Sequence, residues 1–243
     1  IKVITLSIQL LKFLNKVLKY FLHTFFPDKC LKCQSVLKPD ETAFCQTCCN
    51  NLTYVNYSDV CKFCFSKKAE NRKHNCIKNN YLERNISCFH FSEHMQNLIH
   101  QAKYNYRPKL LRNFLTTIAW NGLYGEKPDI IIPVPLHKNK LKTREFNQAE
   151  IIAKWISNKT SIPIDNTLLI RTKNTDAQAA IDDEKQRKQN VENAFLAAGE
   201  KKYNTVMLID DVMTTGNTLS ECAKVLKQSG VIKVISYTLI RAG

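Results

Sequence analysis

The stretch Val206-Met-Leu-Ile-Asp-Asp-Val-Met-Thr-Thr-Gly-Asn-Thr218 decides how the rest of the chain is read. Four consecutive apolar residues, Val206 to Ile209, have the composition of a strand buried on both faces. Two acids, Asp210 and Asp211, stand at its carboxyl end, and a hydroxyl-rich loop with a single glycine follows. Thr218 to Ser229 then reads as a helix, closed by Gly230 as helix C-termini often are. Strand, loop and helix in that order form the unit of an open α/β sheet, whose ligands bind beyond the carboxyl ends of the strands.

The loop has the chemistry of a phosphate cradle. A helix N-terminus offers unpaired N–H groups and the positive end of its dipole to an anion. Met213, Thr214, Thr215, Gly216, Asn217 and Thr218 supply backbone donors, hydroxyls and one residue that lets the backbone approach closely. Asp210 and Asp211 are placed to accept hydrogen bonds from two vicinal hydroxyls. Adjacent carboxylates at the end of a buried strand are costly unless a ligand or cation offsets them, which an ordinary polar turn does not explain. A phosphate plus a diol describes ribose 5-phosphate.

Working outward, Asp129 to Val134 and Val231 to Ile240 read as further strands, and Asn147 to Asn158 as a helix. Strands alternating with helices from about residue 86 onward predict a mainly parallel sheet flanked by helices. After the strand ending near Pro133 comes a basic loop with Lys138, Lys140, Lys142 and Arg144. Arg144 suits bidentate contact with a diphosphate. Residues 171–190 are polar, and read either as a surface excursion or as a segment that closes over the site.

The upstream part differs in kind. The chain has 243 residues and a net charge of +15. Residues 1–112 hold 18 Lys/Arg against 7 Asp/Glu, and residues 113–243 hold 18 against 14, so the basic excess lies upstream. That fits a polyanionic partner, or a Lys-rich coding bias. Cys30-x2-Cys33 and Cys45-x2-Cys48 are eleven residues apart, which is zinc-ribbon spacing. Cys61 and Cys64 make a third knuckle, with His74 and Cys76 as its partners, although His74 also reads as a surface side chain. Lys62, Lys67, Lys68, Arg72, Lys73 and Lys78 beside Tyr54, Tyr57, Phe63 and Phe65 suit single-stranded DNA, with cations for the backbone and rings for the bases. Residues 1–26 read as one helix with 16 large apolar positions, broken by Lys12, Lys16 and Lys19. Such a helix packs on its own domain or on a partner, or lies on a membrane surface. No run reaches the roughly 20 apolar residues of a membrane span, and no cleavable signal peptide is visible. Paired cysteines used for metal point to a reducing, cytoplasmic setting.

The central thirteen residues match the signature of type I phosphoribosyltransferases, and from about Phe26 onward the chain resembles the ComF family of competence-associated, phosphoribosyltransferase-like proteins. The resemblance also rests on Leu98-Ile-His-Gln-Ala-Lys-Tyr104, Pro133-Val-Pro-Leu-His137, Arg144-Glu-Phe-Asn-Gln-Ala-Glu150, Leu169-Ile-Arg171, Gln178-Ala, Arg187-x2-Asn190 and Asn193-Ala-Phe195. It implies an α/β type I phosphoribosyltransferase fold over 86–243, a double zinc-ribbon domain over 28–85 and an amphipathic helix over 1–27. It implies ribose contacts from Asp210 and Asp211, and a pyrophosphate loop of Pro135, Leu136, His137, Lys138 and Arg144. It further implies a flexible segment carrying Arg171, Gln178, Arg187 and Asn190. The implied ligand is phosphoribosyl pyrophosphate with Mg²⁺, beside structural zinc. The implied setting is DNA uptake in natural transformation, with single-stranded DNA and a competence helicase as partners and peripheral contact with the inner membrane. Two activities stay open: a DNA-handling protein with a phosphoribosyl pocket, and a phosphoribosyltransferase with an unidentified acceptor. Glu145 stands where the family usually has Gly, and an acid there repels a diphosphate unless it points away.

Overall fold

The computed structural model describes residues 14, 17, 18, 20–57, 81–104, 107–120, 122–174, 189–199 and 203–242. Cys61, Cys64, His74, Cys76, Gln178 and Arg187 lie outside the described residues, as do residues 1–13, 15, 16 and 19 and the basic and aromatic positions Lys62, Phe63, Phe65, Lys67, Lys68, Arg72, Lys73 and Lys78.

The center of the fold is a four-stranded parallel sheet in the order β1 (Arg84–His90), β6 (Lys233–Arg241), β5 (Thr205–Met213), β2 (Ile130–Pro133). The continuous apolar runs of β2 and β5 are explained by burial on both faces. Helices α2 (Glu93–Tyr104), α3 (Pro108–Thr117) and α5 (Gln148–Thr160) pack with Ile86, Met207, Ile209 and Tyr237 in one buried cluster. Helix α6 (Asn217–Gln228) packs with Val206, Leu208 and Val234 in a second. An antiparallel pair, β3 (Leu169–Arg171) and β4 (Phe195–Ala197), contributes Leu169 and Phe195 to that second cluster.

Two elements differ from the sequence reading. The central strand does not stop at Ile209 but runs through both acids to Met213, because β6 pairs with it as far as Arg241. The basic stretch after Pro133 is not an open loop. It is a short helix, α4 (Lys138–Arg144), whose N-cap His137 accepts from Asn139 N through Nδ1 at 3.3 Å.

The cysteine unit joins this fold closely. Cys30, Leu37, Phe44 and Cys48 belong to the same buried cluster as Phe89, Leu98 and Phe114. The ring of Phe114 lies 5.5 Å from Phe44 and 6.0 Å from Phe89. Cys48 sits on the short helix α1 (Gln46–Asn50), with Cys45 at its N-cap. Beyond it the chain covers the outer edge of β1: Val55 N donates to Cys88 O at 3.0 Å, and His90 N donates to Thr53 O at 3.1 Å. An edge so covered is closed to further pairing.

Residues 20–25 are helical, and several of the large apolar side chains described there are exposed. Leu14, Phe21 and Phe25 are 55%, 61% and 63% exposed. Among the described residues no helix is long and apolar enough to cross a membrane.

Candidate phosphoribosyl cleft and cysteine cluster

At the carboxyl ends of β2 and β5 lies a cavity of about 520 Å³. Asp210, Asp211, Met213, Thr214, Gly216, Asn217 and Thr218 line it on one side, with Pro135, Leu136 and Arg144 opposite and Arg171 at the margin. Thr215, His137, Lys138 and Asn190 are not among its lining residues. For His137 and Lys138 the reason is the helix. His137 is turned inward as a cap, and a period of 3.6 puts Lys140 and Arg144 on the cavity face while Lys138 falls elsewhere.

The phosphate loop is held from below. Gly216 is the N-cap of α6 in a left-handed conformation, φ 79°. That backbone shape calls for glycine, while the one close contact of an added Cβ, 2.7 Å from Met213 Cε, is with the movable end of a side chain. Arg241, nearly buried at the end of β6, donates through Nη1 to Thr214 O and, at 3.4 Å, to Met213 O. Ala242 N donates to Met213 O at 2.8 Å. These bonds occupy the Met213 and Thr214 carbonyls, while Asn217 and Thr218, the first residues of α6, line the cavity. On the other side, Asn147 caps α5 by accepting from Ala149 N at 3.0 Å, and its Nδ2 donates to Val134 O at 2.9 Å. These two hydrogen bonds tie the end of β2 at Val134 to the start of α5.

The two acids have different surroundings, since neighbours on a strand point to opposite faces. Asp211 is ion-paired with Lys103, Nζ to Oδ2 2.6 Å. Asp210 is half-buried and accepts from Asp211 N at 2.9 Å. Desolvation, and next the charge of Asp211, push its carboxyl up from 3.8 to about 7. Across the cavity Arg144 lies over the Tyr104 ring, 5.2 Å from its centroid, and Arg171 lies 5.3 Å from that of Phe195. Four cations, Lys103, Lys140, Arg144 and Arg171, face two carboxylates across the cavity lining, a balance that favours an anion.

Sequence reasoning missed one whole wall. Phe91, Gln96, His100, Lys103 and Tyr104 line the cavity, the last four from α2. The segment Leu98 to Tyr104 was conspicuous only as part of a resemblance. The signal available was the spacing of His100, Lys103 and Tyr104, which puts three polar groups on one helix face opposite Leu98 and Ala102. Glu145 is not part of the lining. It is the C-cap of α4 at φ 62°, exposed, in a left-handed conformation that glycine adopts at lower cost.

The second site is compact. The Sγ atoms of Cys30, Cys33, Cys45 and Cys48 all lie within 4.8 Å of one another, and those of Cys33 and Cys45 are 3.7 Å apart. Four thiolates about 2.3 Å from one zinc are about 3.8 Å from each other, so the set fits a tetrahedral metal. The Ser35 hydroxyl, 3.0 Å from Cys33 Sγ, lowers that thiol's pKa, and Cys45 N donates to Cys30 Sγ at 3.4 Å. Cys49 points elsewhere, its Sγ 3.8 Å from Thr117 Oγ1.

Comparison with known proteins agrees with this geometry. Residues 149–243 match the phosphoribosyl transferase domain family. Competence protein F of Haemophilus influenzae is 30% identical over 231 residues, 90% of this chain and 99% of that protein. Competence protein ComFC of Bacillus subtilis is 26% identical over 236 residues, 90% and 92% of the two chains. The DNA utilization protein YhgH of Escherichia coli is 27% identical over 165 residues, 65% of this chain and 72% of that protein.

Proposed function

This chain belongs to the ComF family, and from that premise we propose that its cleft binds phosphoribosyl pyrophosphate, or a related ribose 5-phosphate ligand, in support of single-stranded DNA handling during natural transformation. The observation that carries the reading is the joining, in one cavity, of an acid pair, a glycine-capped helix N-terminus and an opposing face of Lys140 and Arg144. The 5-phosphate takes the N–H groups of Asn217 and Thr218 and the Thr214 and Thr218 hydroxyls. Asp210 and Asp211 accept from the ribose hydroxyls. The diphosphate lies against Pro135, Leu136 and Arg144, with Arg171 closing from the side. A magnesium ion arriving with the ligand would supply charge neutralisation to the diphosphate. Among the described residues the cavity lining holds two carboxylates, one of them paired with Lys103, so such an ion would keep most of its water and its phosphate ligands. The four cysteines hold zinc as a structural ion, and the basic upstream half supplies the DNA contact, acting in the cytoplasm.

A transferase reading is favoured by one specific observation. Phe91, His100 and Tyr104 line the same cavity as the acid pair, and an acceptor set against them would stand beside the ribose. Displacement of diphosphate from the ribose C1 by that acceptor builds positive charge on the ring, which Asp210 and Asp211 are placed to offset, while Arg144 meets the leaving group.

Isothermal titration of phosphoribosyl pyrophosphate with Mg²⁺ tests the reading. Micromolar binding that is lost in Asp210→Asn/Asp211→Asn supports it. Unchanged affinity in the double variant removes the ribose assignment. Single-stranded DNA affinity that falls steeply with salt supports the second half, and a flat salt response removes it.

A further inference from the structure

Lys103 has a place that neither the phosphate cradle nor the diphosphate loop accounts for. It sits in the last turn of α2, a helix held in the core by Met95, Leu98, Ile99 and Ala102, all at most 3% exposed. Its ammonium is therefore delivered by a rigid element rather than by a loop. It reaches Asp211 at 2.6 Å while also lining the cavity. The side chains are 24% and 9% exposed, so the pair is largely shielded from water and stronger than a surface ion pair.

We propose that Lys103 is the built-in cation of the ribose end of the cleft, so that a ribose 5-phosphate group binds there without a divalent ion. The inference rests on the phosphoribosyl reading above and narrows it. An ammonium carries three N–H donors. Its contact with Asp211 is an ion pair without hydrogen-bond geometry, so those donors can turn to ribose or phosphate oxygens entering from the cavity. A magnesium ion seeks near-octahedral oxygen ligands at about 2.0–2.1 Å and sheds water reluctantly. It competes with Lys103 for the same carboxylate oxygen, and two cations on one carboxylate repel each other. Lys140, Arg144 and Arg171 also line the cavity and would meet a diphosphate that arrives with its own magnesium.

The experiment is isothermal titration of ribose 5-phosphate into the full chain, in magnesium-free buffer and again with magnesium. A resin-treated buffer is used because a chelator in solution also strips metal from cysteines. Lys103→Met keeps the helix-forming character and the stem of the side chain, and circular dichroism checks its fold. We expect the wild type to bind equally well in both buffers. We expect Lys103→Met to lose about tenfold or more without magnesium, the loss of a charge-assisted hydrogen bond, and to regain most of it with magnesium. Lys103→Arg should bind without magnesium. Rescue by a divalent ion is a response that a merely structural lysine would not give. Wild-type binding only in the presence of magnesium overturns the inference while leaving the phosphoribosyl reading in place. So does metal-free binding by Lys103→Met at wild-type strength. No binding by the wild type in either buffer overturns the phosphoribosyl reading itself.

Discussion

Substituting Asp210 by Asn is expected to strengthen the empty protein while weakening its hold on ligand, and the size of the first effect follows from the burial of the carboxyl. Asp210 is held up from 3.8 to about 7 by desolvation and by the charge of Asp211. Between those two values the unfolded chain has released its proton and the folded protein retains it, so folding stability falls as pH rises through this window. At about 1.4 kcal/mol per pKa unit, the ionised carboxylate withholds on the order of 4 kcal/mol from the folded state above pH 7. Asn keeps an oxygen for Asp211 N, the 2.9 Å bond seen here, and carries no charge. At pH 8 the variant should therefore gain on the order of 2–4 kcal/mol, a rise of roughly 5–15 °C in melting temperature for a chain of this size. Below about pH 4 both side chains are neutral and the difference should vanish. Thermal unfolding from pH 4 to pH 8 reads this directly. A difference that stays flat across the range, or a variant less stable at pH 8, would refute the reasoning. Ribose 5-phosphate affinity should fall about tenfold or more in the same variant, because a charged hydrogen-bond acceptor is gone.

Three further outcomes follow from the geometry. Glu145→Gly should raise stability by about 0.5–1 kcal/mol in urea unfolding, since it relieves a left-handed C-cap, and should leave ligand affinity unchanged because Glu145 is outside the cavity; a loss of stability would contradict the assignment. Phe114→Ala should cost about 3–5 kcal/mol, as a fully buried ring is lost together with its contacts to Phe44 and Phe89, and a cost below about 1 kcal/mol would mean the cluster is not continuous. Removing metal from the cysteines, or replacing Cys48 by Ser, should lower a single cooperative melting transition rather than melt a separate small unit; two resolved transitions would show that the cysteine unit unfolds alone.

The sequence by itself carried the α/β class and the central unit. A buried apolar strand, paired acids, a glycine-bearing loop and an amphipathic helix are local features, and local patterns are written in consecutive residues. The four-cysteine cluster was legible for the same reason: its two pairs impose a spacing that metal geometry demands. Other outcomes needed the tertiary structure. Pairing with β6 decides that β5 runs on through Asp210 and Asp211, so the two acids face different surroundings and only one of them meets Lys103. Helical periodicity within α4 decides that Lys140 rather than Lys138 faces the cavity, and that the residue at 145 caps a helix instead of repelling a ligand. The α2 wall, the Arg241 brace under the phosphate loop and the joining of the cysteine unit to the sheet through Phe114 all involve partners far apart in the chain. Such contacts are set by how faces pack in three dimensions, and no run of neighbouring residues records them.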